Sequence, residues 1–222
     1  MGIRKPLKLK VMAKDWNGNG HSVWVTRGAS NHTNEEREAH DYYATDSRSL
    51  DMLSTKFELR HKVWECACGE GSLSSWLDRS GRSVLSTDLI DRGYGIGGVD
   101  FLNLSDKDLA MVKGWSNGEP FDIVTNPPYK YATEFVLKSL EMVPAGGRVA
   151  MFLKITFLEG LERRQKIYDK TPPRWVFQFS GRILCAKNGD FESMSKVGSA
   201  CSYAWFVWEK ESKDKITEVK WL

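Results

Sequence analysis

The sequence predicts an α/β fold built on a doubly wound, mostly parallel sheet. Short apolar runs that are typical of buried strands alternate with amphipathic, helix-like stretches along most of the chain. That alternation is the pattern of parallel sheets covered by helices on both faces. Glycine-rich or polar turns follow several of the predicted strands, and open α/β sheets bind ligands at that edge. The 222 residues are enough for one compact domain with a full core.

The first 38 residues differ from the rest of the chain. A basic run from Arg4 to Lys14 precedes any acidic residue, and polar residues with an Asn-Gly turn at 17–20 follow it. This composition predicts a basic and polar arm over residues 1–38, with a short strand at 22–26, ahead of a single folded domain over 39–222. The basic run suits contact with phosphates, and a solvated tail is the alternative.

Apolar periodicity and capping residues place the elements of the folded domain. Leu50, Leu53 and Phe57 share one helical face, and Ser105 is a helix cap before a short amphipathic stretch. The predicted elements are, in order, helix 46–59, strand 62–66, helix 72–79, strand 83–87, helix 105–113, strand 121–125, helix 131–142, strand 148–153, helix 159–169, strand 174–179 and strand 201–208.

The tetrapeptide Asn126-Pro127-Pro128-Tyr129 directly follows a predicted buried strand. Two successive prolines hold the chain extended and remove two N–H donors, so the carbonyl of Pro127 is available to a ligand. The Asn126 oxygen and that carbonyl suit the two N–H groups of an exocyclic amine on a flat ring. The ring of Tyr129 suits stacking on the same ligand. An ordinary Asn-Pro turn is the alternative.

A glycine-rich turn, Glu65 to Ser74, lies between a predicted strand and a predicted helix. Gly69 and Gly71 let the backbone approach a bound ligand closely, and Glu65 is placed to meet a positive group. Asp88 ends the next strand, 19 residues beyond Gly69, near the spacing at which an acid binds ribose hydroxyls. A solvated turn residue is the alternative for Asp88. The turn lacks the Gly-Lys-Ser/Thr signature of a phosphate-binding loop.

A third motif is Gly97-Gly98-Val99-Asp100-Phe101-Leu102. An acid followed by an aromatic residue after a glycine pair suits binding and covering of an adenine ring. The alternative is a loop in which Phe101 packs into the core.

Together these motifs resemble those of class I methyltransferases that use S-adenosylmethionine. More closely, they resemble the amino-methyltransferases of DNA, notably the small N6-adenine enzymes of phages and prophages. The glycine loop precedes Asn-Pro-Pro-Tyr, an order similar to the family's gamma type. The resemblance covers roughly residues 38–208 and rests on residues 40–45, 65–72, 86–89, 100–101, 126–129, 180–182 and 203–208.

The resemblance implies a Rossmann-like, seven-stranded, mostly parallel sheet whose last strand is antiparallel, and a methyltransferase catalytic domain over 39–222. Asn126, Pro127 and Tyr129 would be the catalytic residues that hold the target amine. Residues 41–45 would close over the methionine end of the cofactor. The S-adenosylmethionine pocket would be lined by Tyr43, Thr45, Glu65, Cys68, Gly69, Gly71, Asp88, Asp100, Phe101 and Asn126.

Two features depart from the family pattern. Cys66-Ala67 stands where a small, flexible pair is common in the glycine loop. No separate target-recognition domain is visible, because the residues after Trp208 are too few to fold alone. Recognition of DNA would then come from loops of this chain, from a homodimer or from a separate recognition subunit.

The expected partner is duplex DNA whose target adenine is flipped into the pocket. The net charge is only +3, so a DNA-binding surface must be local. Three regions compete for this role: the basic arm, Lys154 to Lys170, and Gly181 to Lys196. Phe157 and Phe179 are both candidates for a second stacking wall, and the sequence does not choose between them. The residues expected to contact nucleic acid are Lys130, Arg182, Lys187 and Asn188.

Several other classes of function are excluded. The cysteines and histidines show no metal-ligand spacing, so no metal site is expected. Unpaired thiols, with neither a secretory signal nor an apolar stretch near 18 residues, predict a cytoplasmic protein without a membrane span.

The leading hypothesis is therefore methyl transfer to the N6 amine of adenine in DNA. One alternative is an amino-methyltransferase acting on cytosine N4, on RNA or on protein glutamine. The other is a nucleic-acid-binding module with a decayed site.

Overall fold

The computed structural model describes residues 43–181, 183, 185–187 and 201–222, and gives only the backbone of 43, 44 and 185–187. The predicted arm over 1–38 and its strand at 22–26 lie outside these residues.

The strands of the described residues are β1 Tyr43–Thr45, β2 Lys62–Glu65, β3 Ser83–Ser86, β4 Phe121–Thr125, β5 Arg148–Lys154, β6 Trp175–Gln178, β7 Cys185–Lys187, β8 Tyr203–Glu209 and β9 Glu218–Trp221. The α-helices are α1 Arg48–Ser54, α2 Ser72–Arg79, α3 Asp106–Ser116, α4 Ala132–Met142 and α5 Leu161–Arg163, and α5 continues as a π-helical turn over Arg164–Tyr168. Short 3₁₀ turns cover Phe101–Asn103, Tyr129–Tyr131 and Ile155–Leu158.

Seven of these strands form one mixed sheet in the order β3-β2-β4-β5-β8-β6-β9. Strands β3, β2, β4 and β5 run parallel to one another, and β8 runs antiparallel to both β5 and β6. The predicted α/β class with a doubly wound, mostly parallel, seven-stranded sheet is therefore confirmed, as is the antiparallel direction of β8.

Strand β9 was not predicted, and β8 is consequently not the last strand. β9 pairs parallel with β6 at the edge of the sheet, and Val219 and Trp221 are exposed there. Such a short segment can be an edge strand because the neighbouring strand β6 supplies its hydrogen-bond partners.

The central strands are buried on both faces of the sheet, which explains their nearly continuous apolar sequences. All five residues of β4 are buried. Along β8 the side chains alternate, so that Phe206 joins the cluster around Trp64 on one face and Trp205 joins the cluster around Leu50 on the other.

Helix α3 starts where the sequence indicates. Ser105 and Asp108 form a reciprocal capping box, and the helix ends at Asn117 in the left-handed conformation with φ 49°. Two predicted helices are shorter than expected. The helix predicted over 46–59 ends at Ser54, and the one predicted over 159–169 is mostly a π turn in which Ile167 is fully buried.

The amino-terminal ends of β4 and β5 are joined by a buried ion cluster. Asp122 is inaccessible to solvent and accepts hydrogen bonds from the backbone N–H groups of Arg60, at 2.9 Å, and Arg148, at 3.0 Å. The Arg148 Nη2 atom lies 3.2 Å from the same carboxylate, and Arg60 Nε lies 3.4 Å from it. This cluster fixes the end of the sheet opposite the site.

Strands β1 and β7 form a separate two-stranded antiparallel ribbon, with Tyr43 paired to Lys187 and Thr45 paired to Cys185. Strand β1 lies against helix α2. The segment predicted to close over the cofactor is therefore a strand partner of the segment predicted to contact nucleic acid.

Candidate active site

The carboxyl ends of adjacent parallel strands bring the predicted motifs to one edge of the sheet. Strand β2 leads into the glycine loop, β3 into Asp88 and β4 into Asn126. Strand β5, which pairs with β4, ends at Lys154. This edge is where open α/β sheets bind ligands.

The glycine loop is held in a tight turn by backbone hydrogen bonds. The N–H of Cys68 donates to Thr87 O at 3.0 Å, and the N–H of Gly71 donates to Cys68 O at 2.8 Å. Gly69 and Gly71 have φ values of 56° and 82°, which residues with a side chain rarely adopt. A Cβ atom at Gly71 would lie 2.5 Å from three atoms of the Tyr94 ring. Only glycine fits at that position.

The carboxylate of Asp88 is fixed by three donors. It accepts hydrogen bonds from the N–H of Gly69 at 2.8 Å and the N–H of Ile90 at 2.9 Å. The guanidinium of Arg92 lies 3.3 Å from it. A carboxylate has about four acceptor positions, so these three donors leave about one position for a ligand hydroxyl. Asp88 thus both shapes the glycine loop and presents a negative charge beside it.

Glu65 is a buried acid at the end of β2. Its side chain accepts a hydrogen bond from the Ser74 hydroxyl, which lies 2.6 Å from the hydroxyl of Ser86. Burial raises the pKa of Glu65 to about 8; the hydrogen bonds from Ser74 oppose this effect, and the nearby charge of Asp88 adds to it. The carboxyl is therefore mostly protonated at neutral pH, and a nearby cation would favour its ionised form.

The free energy of unfolding of the ligand-free protein is expected to fall as the pH rises from 6 to 8. The pKa of Glu65 is about 8 when folded and near its usual 4.5 when unfolded. Between these values the folded chain keeps a proton that the unfolded chain has released, so this group contributes a slope approaching about −1.4 kcal/mol per pH unit. Denaturant unfolding at pH 6, 7 and 8 measures it. Glu65→Gln cannot titrate and should remove that contribution, whereas equal slopes in the two proteins would contradict the assignment.

The two cysteines of the glycine loop, Cys66 and Cys68, are buried, and their thiols have raised pKa values. Burial raises the pKa of Cys68 to about 12 and the pKa of Cys66 well above its usual value. Their thiols are therefore protonated at neutral pH and contribute to the loop by packing.

Asp100 and Phe101 occupy different environments. The Asp100 carboxylate caps the following 3₁₀ turn by accepting from Leu102 N at 3.0 Å and from Asn103 Nδ2 at 2.9 Å. The ring of Phe101 is buried with its centroid 5.2 Å from Trp64 and 5.1 Å from Phe135. Phe101 therefore packs in the core, which is the alternative that the sequence left open.

The Asn-Pro-Pro-Tyr segment leaves β4 at the centre of this edge. Asn126 is half-buried and Pro127 is buried. The carbonyl of Pro128 accepts from Tyr131 N at 2.9 Å, which starts the turn that leads into α4. The ring of Tyr129 lies 6.0 Å from the ring of Tyr203 in a stacked arrangement.

Neither Phe157 nor Phe179 contributes a ring contact to Tyr129 among the described residues. Phe157 packs on Tyr168 and Phe206, and Phe179 packs on Phe152. Both phenylalanines are buried. Tyr203 is the aromatic residue that stacks with Tyr129, and the sequence analysis had not singled it out.

Thr45 has a buried hydroxyl that finds no hydrogen-bond partner among the described residues. It lies in β1, beside the helix that follows the glycine loop. For Tyr43, also predicted to line the pocket, the structure describes the backbone in the same strand.

Of the predicted nucleic-acid contacts, Lys130 is exposed next to the Asn-Pro-Pro-Tyr segment. Its Nζ atom lies 5.0 Å from the ring centroid of Tyr131, which is also exposed. The backbone of Lys187 is in β7, whereas Arg182 and Asn188 lie outside the described residues.

The structure adds residues that the sequence analysis did not assign to this edge: Ser74, Arg92, Tyr94, Lys154 and Tyr203. Ser74 lies nine residues after Glu65 and Arg92 lies four residues after Asp88, so sequence proximity was a usable signal for them. Tyr203 and Lys154 meet Tyr129 only through the pairing of β5 and β8, which no local pattern encodes.

No group of three or more metal-ligating side chains is found in the part of the chain that the structure describes. Within the same residues, none of the helices has the length and apolar composition that a membrane-spanning helix needs.

Comparison with known proteins shows similarity at the level of the fold. No family model matches this chain, and no curated protein matches it. Among solved structures, a predicted O-methyltransferase from Agrobacterium tumefaciens is similar with a TM-score of 0.51 and 11% identity, over 79% of this chain and 84% of that chain.

Two proteins of type I restriction enzymes are also similar. The EcoKI M protein has a TM-score of 0.54 and 16% identity over 83% of this chain. A modification subunit from Vibrio vulnificus, assigned to a type I restriction enzyme, has a TM-score of 0.51 and 13% identity over 83% of this chain. The alignments cover 49% and 47% of those two proteins, so this chain spans about half their length.

The strand order and these similarities establish the class I methyltransferase, Rossmann-like fold. At such identities the comparisons show the fold alone, and the chemistry has to be argued from the residues at the edge of the sheet.

Proposed function

We propose that this protein transfers a methyl group from S-adenosylmethionine to the exocyclic N6 amine of adenine in DNA. The observation that carries the proposal is the placement of Asn126, Pro127 and Tyr129 at the carboxyl end of β4, next to a glycine loop flanked by two buried acids.

The residues around the glycine loop fit S-adenosylmethionine. The cofactor carries an ammonium group, a sulfonium centre and a ribose diol. The buried acid Glu65 suits a positive group, and Asp88 has an acceptor position for a hydroxyl. The buried hydroxyl of Thr45 supplies a further polar atom without a partner among the described residues. Gly69 and Gly71 allow close approach of the backbone.

The chemistry that the bound cofactor supplies is an electrophilic methyl group. The chain's own residues hold the acceptor amine. The oxygens of Asn126 and Pro127 accept its two N–H groups, which directs the nitrogen lone pair out of the plane of the ring. The face of Tyr129 fixes the plane of the ring. The work of these residues is orientation and charge placement, and the proton that the product amine must lose is acidic enough to leave without a strong base.

DNA is the proposed substrate for three reasons. The motifs resemble those of amino-methyltransferases of DNA, the fold is similar to two restriction-enzyme proteins, and an exposed lysine and tyrosine flank the catalytic segment at Lys130 and Tyr131. A base inside a duplex must leave the stack to reach a pocket at this edge. The methyltransferase domain is proposed to span 39–222, with recognition by its loops, a second copy or a separate subunit.

The test is transfer of labelled methyl groups from S-adenosylmethionine to unmethylated duplex DNA. We expect label in DNA, with N6-methyladenine as the modified base after enzymatic digestion and mass spectrometry. Parallel reactions contain RNA and a protein extract, and the Asn126→Ala protein is the blank for each. If N4-methylcytosine, methylated RNA or methylated protein glutamine formed in place of the expected product, the protein would be an amino-methyltransferase with that other substrate. Cofactor binding without transfer to any substrate would favour a binding module.

A further inference from the structure

We propose that Tyr203 and Lys154 are positioning residues that hold the ring of Tyr129 as a rigid stacking surface, so that the substrate of this site is a planar aromatic amine rather than an acyclic amide. This inference rests on the proposed function and adds the residues that hold the stacking ring and a reason for the site's choice of substrate.

A column of aromatic rings connects Tyr129 to the centre of the sheet. The ring of Phe152, which is fully buried, lies 5.1 Å from the ring of Tyr203 with an angle of 18° between the planes. The ring of Tyr203 lies 6.0 Å from Tyr129 with an angle of 27°. Near-parallel rings at these separations are within the favourable range for aromatic pairs. The orientation of Tyr129 is thereby tied to a fully buried core residue.

Lys154 reaches the same ring. Its Nζ atom lies over Tyr129 at 5.2 Å from the ring centroid, within the range of a cation–π contact. Lys154 and Tyr203 are direct partners in the antiparallel pairing of β5 and β8. Direct partners project from the same face of a sheet, so both side chains approach Tyr129 from the sheet side.

The charge of Lys154 has no other evident use in this part of the protein. Lys154 as a whole residue is partly buried, and no carboxylate of the described residues forms an ion pair with it. The ring of Tyr129 is therefore its principal electrostatic partner here. A tyrosine packed on a core ring and capped by a cation loses little freedom on binding, because it is already ordered.

A rigid aromatic face discriminates between substrates that share an amine or amide group. A purine or pyrimidine amine gains stacking energy on the ring of Tyr129. A glutamine side chain has no ring to stack and gains nothing comparable. The oxygens of Asn126 and Pro127 would accept N–H groups from either substrate. Discrimination between the substrates therefore depends on the ring of Tyr129 and on the side chains that hold it.

The experiment compares four variants by steady-state kinetics on a short duplex and by cofactor titration. Tyr203→Leu removes the stacked ring, and we expect kcat/KM to fall roughly 3- to 10-fold, the range of a lost aromatic pair. Lys154→Met removes the cation while keeping the aliphatic chain, and the expected loss is roughly 2- to 30-fold. Tyr203→Phe and Lys154→Arg keep the ring and the cation and should restore most of the activity. Cofactor affinity should be unchanged in all four.

Phe206→Leu is the matched control, because Phe206 is a fully buried aromatic residue on the other face of the same strand. It should lose stability without a matching loss of kcat/KM per folded molecule. If Tyr203→Leu and Phe206→Leu lower kcat/KM equally once the folded fraction is corrected for, the positioning role of Tyr203 is wrong. An unaltered kcat/KM in Lys154→Met would likewise remove Lys154 from the proposal.

Two further measurements separate this inference from the proposed function. The NMR signals of the Tyr129 ring in the ligand-free protein should shift in Tyr203→Leu, since the neighbouring ring current is lost, whether or not any substrate is methylated. Unshifted signals would show that the rings are not stacked in solution. Methylation of a glutamine-containing peptide with kcat/KM equal to that for the duplex would overturn the substrate class while leaving methyl transfer itself intact.

Discussion

Asn126→Ala is expected to reduce methyl transfer to the limit of detection, a loss of about 10²-fold or more, while cofactor affinity and stability stay nearly unchanged. The side-chain oxygen of Asn126 is needed only when the amine is in place and its lone pair must be directed at the methyl group. Removing one such fixed polar group from a reaction centre typically lowers turnover by about 10²–10³-fold. Single-turnover assays of label transfer, with calorimetry of cofactor binding, measure both quantities.

The neighbouring tyrosine provides the control for this loop. Tyr129→Phe keeps the stacking ring, so its turnover should fall only mildly, whereas Tyr129→Ala should lose most of its turnover. Substantial activity in Asn126→Ala would show that its oxygen does not hold the amine. If Tyr129→Phe were as inactive as Tyr129→Ala, the hydroxyl rather than the ring would be the functional group.

Asp122→Ala is expected to lower the free energy of unfolding by about 3–5 kcal/mol, the usual cost of removing one partner of a buried ion pair. Its carboxylate is inaccessible to solvent and lies within 3.4 Å of both guanidinium groups while accepting two backbone N–H bonds. The substitution leaves Arg60 and Arg148 without their counter-ion and leaves buried donors without an acceptor. Urea unfolding followed by tryptophan fluorescence measures the change.

Asp169→Ala is the matched control for that prediction. Asp169 pairs with Arg164 at 3.3 Å, but both side chains are more than half exposed. An exposed pair of this kind contributes at most about 1 kcal/mol. A similar loss in Asp122→Ala and Asp169→Ala would show that burial does not govern the strength of these pairs. Asp122→Asn keeps the shape and part of the hydrogen bonding, so its loss should fall between the two.

The sequence predicted those parts of the fold that depend on local patterns. Strands of continuous apolar residues, such as 121–125, and the Ser105 cap can be read directly, because burial on both faces and capping geometry act over a few residues. Strand β9 was missed because Glu218–Trp221 is only four residues long, its apolar side chains stay exposed, and it is stabilised by pairing with β6. The π turn at Arg164–Tyr168 depends on the burial of Ile167 and on the Tyr168 hydroxyl, which donates to Phe157 O.

The candidate site divides in the same way. Glu65, Asp88 and Asn126 were placed at one edge from the rule that ligands meet the carboxyl ends of parallel strands. Phe101 was assigned to the pocket from a motif, but its ring packs in the core. The identity of an aromatic residue does not determine whether its ring faces a pocket. Tyr203 and Lys154 could not be predicted, because they are brought together with Tyr129 by the register of two strands distant in sequence.

The position of β8 between β5 and β6 has a consequence for the order in which the chain assembles. Strand β6 is synthesised earlier, yet its sheet partners are β8 and β9, both of which lie later in the sequence. The parallel strands β2 to β5 are consecutive in the sequence and pair only with one another and with β8, so they can form first. Strand β6 acquires a place in the sheet only after β8 has paired with β5. Until then the apolar edge of β5 is unpaired, so a ribosome-bound or truncated chain that ends before Tyr203 exposes the surface that most favours aggregation.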